Sequence, residues 1–157
     1  MLVLALALQV TPVAPIEKGT GLPPPGAEET AVLAPITALT AAISARDAAA
    51  VAATLRPDGV AVVANEGADG TRTVHQMSFR DLPAQFQPGP QRYQERLGTP
   101  AIEIDGDIAM VWAPYSFMID GKIAHCGVDH FGLTRENGAW KIASLAWSSR
   151  TTGCTAP

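Results

Sequence analysis

Trp112–Trp147 reads WAPYSFMIDGKIAHCGVDHFGLTRENGAWKIASLAW, and the fold turns on how this stretch is parsed. Asp120-Gly121 and Asn137-Gly138 are dipeptides that accept the left-handed backbone of a two-residue hairpin turn. Runs rich in Val, Ile, Phe, Tyr and Trp flank both. The pattern predicts three consecutive antiparallel strands, Ile108–Ile119, Ile123–Arg135 and Trp140–Ser149. The middle strand carries two ionisable residues, His125 and Asp129, on an otherwise apolar run.

Working outward, a plain two-residue turn at Asp120-Gly121 pairs His125 with Ser116, Asp129 with Trp112 and Phe131 with Met110. Alternation along the strands then groups Met110, Trp112, Ser116, Met118, His125, Asp129 and Phe131 on one face. That face should cover the helices. The other face would carry Tyr115, Phe117, Lys122, Cys126, His130 and Thr134, a mixed surface suited to a homodimer. The last strand has two readings. A two-residue turn at Asn137-Gly138 puts Trp140, Ile142 and Ala146 beside Asp129; a three-residue turn puts Leu145 and Trp147 there, because one residue of register turns every side chain over.

Upstream, Thr30 is a fit N-cap, and Val32, Ile36, Leu39 and Ile43 recur at helical spacing. Ala48–Leu55 continues as a short alanine-rich helix that Pro57-Asp58-Gly59 should end. Val60–Ala64 and Arg72–His75 read as a strand pair. A third helix, kinked by Pro83, is expected after Ser78, followed by strands at Gln91–Leu97 and Ala101–Ile104. Helices first and strands afterwards define an α+β domain: a curved antiparallel sheet wrapped around N-terminal helices to leave a conical pocket.

The chain of 157 residues is 47% hydrophobic and 17% charged, which suits one folded domain with a core. Its net charge of -4 argues against binding nucleic acid. No apolar run reaches the roughly 18 residues that a membrane span needs. The spacing of His, Cys, Asp and Glu suggests no metal site, and no cofactor is called for. Residues 1–14 contain LVLALALQV, an apolar core of signal-peptide length that lacks preceding basic residues. Residues 15–29 are rich in Pro and Gly and read as a linker, and residues 30–154 as the domain. The leader implies export to the periplasm, the alternative being a cytoplasmic protein. In an exported chain Cys126 and Cys154 could pair; otherwise they are two free thiols.

A carboxyl on an apolar face has a raised pKa unless donors stabilise its anion. Asp129 is therefore read either as a ligand-binding group or as a structural residue bonded to an indole or a backbone amide. His125 lies on the same strand, about 13–14 Å away along an extended chain. It is read as a ligand contact or as a partner of Ser116. Trp112, Ser116, His125, Asp129 and Trp147 form the candidate ligand-binding set, and His125 and Asp129 the candidate catalytic pair.

The ISARDAAAVAATLRPDGVAVV passage, the VWAPYSFMIDGK hairpin, HCGVDHFGLTR and the closing GAWKIASLAW together resemble the nuclear transport factor 2-like superfamily over Thr30–Cys154. That superfamily includes SnoaL-like polyketide cyclases, ketosteroid isomerases and uncharacterised exported bacterial proteins, some labelled lumazine-binding. The resemblance implies a cystatin-like fold and a small-molecule pocket. It puts Asp129 where ketosteroid isomerases hold a protonated aspartate, and Trp147 near a pocket tryptophan. Leu39 stands near the position of the expected tyrosine, and Val63 or Ala64 where the general base is expected. Isomerase chemistry would therefore need His125 or Glu66 as base. Three functions follow: binding of a small apolar or aromatic molecule; an isomerase, cyclase or hydrolase acting on a small carbonyl or polyketide-like substrate; or a non-catalytic dimerisation module.

Overall fold

Both turn dipeptides adopt the left-handed backbone the hairpins require: φ is 52° at Asp120 and 80° at Gly121, 51° at Asn137 and 81° at Gly138. In the computed structural model, which describes residues 26–155, the chain forms α1 (Ala27–Ala45), α2 (Ala48–Thr54), β1 (Leu55–Glu66) and β2 (Arg72–Ser78). A 3-10 helix (Leu82–Phe86), β3 (Tyr93–Leu97), β4 (Ala101–Asp105), β5 (Ile108–Ile119), β6 (Lys122–Glu136) and β7 (Ala139–Arg150) follow. The leader at 1–14 and most of the linker at 15–29 lie outside the described residues.

The seven strands make one unclosed sheet in the order β2-β1-β7-β6-β5-β3, with β4 also paired to β5. β3 takes the Tyr115–Ile119 half of β5 and β4 takes the Ile108–Trp112 half, so the two short strands lie end to end along one long edge. The hairpins β5–β6 and β6–β7 are antiparallel, as expected. β1 pairs with β7 in parallel, so the sheet is mixed rather than wholly antiparallel. That pairing is non-local, and the alternation of β1 alone does not reveal its direction.

Helix α1 begins three residues before the expected cap at Thr30. The Glu29 carboxylate accepts from the Gly26 amide at 2.7 Å, and Glu28 and Glu29 place negative charge at the amino-terminal end of the helix. Val32, Ile36, Leu39 and Ile43 are buried on one face, as their spacing predicts. Arg46 ends the helix in the left-handed region at φ 55°. Asp47 then caps α2 by accepting from the Ala50 amide at 3.0 Å. Two local readings need correction. Pro57-Asp58-Gly59 does not end the element but lies inside β1, where the β1–β7 register shifts between Leu55 and Val60. The third helix shrinks to the 3-10 turn Leu82–Phe86, with Pro83 in its first two positions.

The central correction concerns register. Ile119–Lys122 and Met118–Ile123 pair as the two-residue turn dictates, but Phe117 then pairs with His125, leaving Ala124 as a bulge. Beyond it Asp129 faces Ala113, and Trp112 faces His130. One inserted residue exchanges the faces of β5 relative to the far part of β6. Tyr115 and Phe117 thus join the concave face, while Ser116 and Trp112 leave it. In β7 the turn is a two-residue one, with Glu136 opposite Ala139. A second bulge, at Ala143, then brings Leu145 opposite Phe131 and Trp147 opposite Asp129. Trp140 and Ile142 before the bulge share the concave side with Leu145 and Trp147 after it.

Cys126, on the opposite face of β6, is joined to Cys154 in a disulfide with Cα atoms 5.6 Å apart. The bond spans 28 residues of sequence and ties the carboxy-terminal tail to the middle of the sheet. Restricting the unfolded chain over a loop of that length stabilises the fold by roughly 3–4 kcal/mol in the chain-entropy view. The Cys126→Ala/Cys154→Ala double variant is expected to lose about that much in urea unfolding. A loss below about 1 kcal/mol would show that the tail is not held by this bond.

Candidate functional site

A cavity of about 230 Å³ opens between α1, the 3-10 helix and the concave face of the sheet. Leu39 and Ile43 enter from α1, Leu82, Gln85 and Phe86 from the 3-10 helix, and Leu145 and Trp147 from β7. Tyr93 and Glu95 come from β3, Tyr115 and Phe117 from β5, and His125, Asp129 and Phe131 from β6. The walls are apolar and aromatic, and the polar groups converge from three adjacent strands. Glu95 pairs with Phe117, which pairs with His125, so these three form one row across the sheet. Asp129 lies two pleats along, beside Trp147.

His125 is fixed by its neighbours. Its ring stacks on Phe117 at 4.9 Å between centroids, with planes 11° apart, and meets Tyr115 edge-on at 5.6 Å. The Tyr115 hydroxyl donates to the Ser148 carbonyl at 2.9 Å and lies 3.0 Å from His125 Nδ1. A carbonyl only accepts, and the phenol has a single proton. The Tyr115 oxygen must therefore accept from Nδ1–H, which leaves Nε2 as the unprotonated ring nitrogen. Burial pushes the imidazole pKa below its ordinary value of 6.5, so the neutral ring persists into mildly acid solution. Gly127 makes the geometry possible. It faces Tyr115 across the strands, and a Cβ there would collide with the Ser148 carbonyl oxygen that Tyr115 reaches.

Asp129 is 5% exposed, and its Oδ2 has no hydrogen-bond partner. Burial, and secondarily the Glu95 carboxyl in the same cavity, hold its pKa well above the ordinary 3.8. Burial raises Glu95 from 4.5 to about 7. The Tyr115 hydroxyl is also pushed up, first by burial and then by Asp129. Two acids and one base with displaced pKa values in one apolar cleft is a pattern of functional sites. Among the described residues no group of three His, Cys, Asp or Glu side chains could hold a metal ion.

Of the five residues read from sequence as ligand-binding, the structure brings His125, Asp129 and Trp147 to the cavity. It removes the other two. Trp112 is 51% exposed on the outer face, tilted against His130, and Ser116 is buried opposite Cys126 on that same side. The bulge at Ala124 is the reason in both cases. Tyr115 and Phe117, assigned to the outer surface, line the cavity instead. Glu66 forms an ion pair with Arg72 at 3.0 Å near the β1–β2 turn and does not line the cavity, so it is no substitute base there. Glu95 was missed. Its signal lay in the alternation of Tyr93, Glu95 and Leu97, which puts a carboxylate in step with two apolar neighbours.

Helices packed on a curved, unclosed sheet of this topology define the cystatin-like, nuclear transport factor 2-like fold. Residues 27–146 match the SnoaL-like domain family, and the chain belongs to it. Its solved neighbours share the fold. A protein of unknown function from Mycobacterium tuberculosis aligns with a TM-score of 0.62 and 20% identity, over 78% of this chain and 71% of that one. The β subunit of a candidate aromatic-ring-hydroxylating dioxygenase from Novosphingobium aromaticivorans aligns with a TM-score of 0.65 and 13% identity, over 82% and 92%. A candidate dehydratase of the NTF2-like family from Streptomyces avermitilis gives 0.59 and 17%, over 76% and 93%. No curated protein matches the chain.

The carboxyl environment predicts a pH signature. A group whose pKa is raised on folding contributes stability below its unfolded value and loses it as pH climbs through the folded value. For Glu95 that window runs from 4.5 to about 7. Glu95→Gln removes the buried ionisation. The variant should therefore gain thermal stability relative to the parent on going from pH 4.5 to pH 8. An equal difference at both pH values would place Glu95 in water.

Proposed function

We propose that the chain binds a small, partly aromatic molecule in the concave cavity, with Trp147 and Phe117 supplying apolar contact and Asp129, Glu95 and His125 orienting its polar groups. The observation that carries this reading is the buried Asp129 Oδ2, unpartnered in an otherwise apolar-walled cleft. An orphaned carboxyl oxygen costs stability unless a ligand or solvent answers it. Size narrows the class. A cavity near 150 Å³ accepts benzene, so 230 Å³ has room for one substituted ring. An open cavity also favours binding over a purely dimerising role.

A second reading is acid–base catalysis, as an isomerase, cyclase or hydrolase of a small carbonyl compound. It rests on His125, whose Nε2 lone pair is set by the Tyr115–Ser148 relay. Nε2 would remove a proton, and a protonated Asp129 would donate to the developing oxyanion. With Leu39 near the position implied for the tyrosine and Val63 or Ala64 at that of the base, such chemistry would draw on His125, or on the Glu95 carboxylate in the same cavity.

Export to an oxidising compartment is part of the proposal, supported by the disulfide and the apolar leader sequence. A homodimer through the outer sheet face is likewise proposed, supported by the exposed Trp112 and Ile108.

Native mass spectrometry of protein purified from its own host tests the binding reading. The expected spectrum carries one molecule of single-ring size per chain, lost in a Leu39→Phe variant that narrows the cavity. A ligand-free parent whose unfolding temperature no single-ring compound raises would overturn the reading.

A further inference from the structure

Among the described residues no lysine or arginine lines the cavity. Its titratable groups are Tyr93 and Glu95 from β3, Tyr115 from β5, and His125 and Asp129 from β6; α1, the 3-10 helix and β7 contribute none. The nearby Arg46 is engaged elsewhere. Its guanidinium donates to the carbonyls of Gln87 at 2.7 Å and Gln91 at 3.2 Å and lies 4.3 Å above the Tyr93 ring. Two carboxyls thus share one cleft whose described lining holds no cation, although Arg46 lies behind Tyr93 and the charge of Arg150 reaches Tyr115.

We propose that the cavity selects an aromatic molecule bearing a protonated nitrogen, an arylalkylamine in its simplest form, held between the Glu95 and Asp129 carboxyls. The proposal rests on the binding reading above and names the class of its ligand. An anionic ligand would meet two acids and no cation. A neutral ligand could accept hydrogen bonds while both acids stay protonated but would leave any carboxylate uncompensated. A cationic nitrogen supplies the missing charge, lets the acids ionise against it and satisfies Asp129 Oδ2. The aromatic wall suits the same ligand. Trp147 lines the cavity as an aromatic surface that can attract a cation, while Phe117 and Tyr93, also in the lining, already hold His125 and Arg46 on one face each. His125, held neutral, adds an acceptor rather than a competing positive charge.

Isothermal titration of the full chain at pH 7.5 with benzylamine, benzyl alcohol and benzoate tests this with near-isosteric probes. Benzylamine is expected to bind about tenfold or more tightly than benzyl alcohol, with benzoate weakest. Glu95→Gln and Asp129→Asn, each checked for a native circular dichroism spectrum, should pull the amine-to-alcohol ratio toward one. The proposal is overturned if the alcohol binds the parent as tightly as the amine, or if neither variant changes the ratio. Binding of benzyl alcohol without benzylamine would leave the cavity reading standing and remove only the charge assignment. Binding by none of the three would remove both.

Discussion

One residue of backbone at Ala124 decides what this sheet can do. A regular β5–β6 hairpin would send His125 and Asp129 to the same side as Trp112 and Ser116, and Tyr115 and Phe117 to the other. The bulge exchanges those partners. Everything chemical about the cavity follows: the stack of His125 on Phe117, the Tyr115 hydroxyl reaching Nδ1, and the common facing of Glu95 and Asp129. The bulge at Ala143 has a matching role on β7, because it brings Leu145 and Trp147 over the same cleft after Trp140 and Ile142 have packed into the core. Two local irregularities thus let one curved sheet present both a packed core and a polar-bottomed pocket.

The polar groups are arranged at the expense of stability, which is common where a fold carries function. Asp129 is buried and Glu95 half-buried in a cleft whose described lining holds no lysine or arginine, Asp129 Oδ2 is unpartnered, and burial lowers the His125 imidazole pKa. Compensation comes from the apolar face of α1, the long β5–β6–β7 ladder and the disulfide that anchors the tail. Belonging to the SnoaL-like family accounts for the scaffold. The choice among ligands rests on side chains particular to this cleft.

Much of this architecture is legible in the sequence. Asp120-Gly121 and Asn137-Gly138 located both hairpins because few other dipeptides accept φ above zero twice in succession. The α1 face was legible because Val32, Ile36, Leu39 and Ile43 keep the helical period. Asp129 and His125 were legible as charges on an apolar run. Trp112 and Ser116 were misplaced, and Tyr115 and Phe117 with them, because period-two reasoning carries a register error down the whole strand, and Ala124 has no side-chain signal that marks a bulge. The parallel β1–β7 pair and the entry of Glu95 depend on contacts distant in sequence. The two alternatives for β7 proved compatible, since a two-residue turn and a later bulge yield the contacts expected of the longer turn.

The account depends on Asp129 and Glu95 sharing a largely apolar cleft whose described lining holds no lysine or arginine. A carbon-13 NMR titration of their side-chain carboxyls in the ligand-free protein tests that directly. The expected result is an Asp129 that stays protonated well above the usual aspartate range, a Glu95 titrating near 7, and curves broadened by their mutual repulsion. Independent titrations near the ordinary values of 3.8 and 4.5 would contradict it.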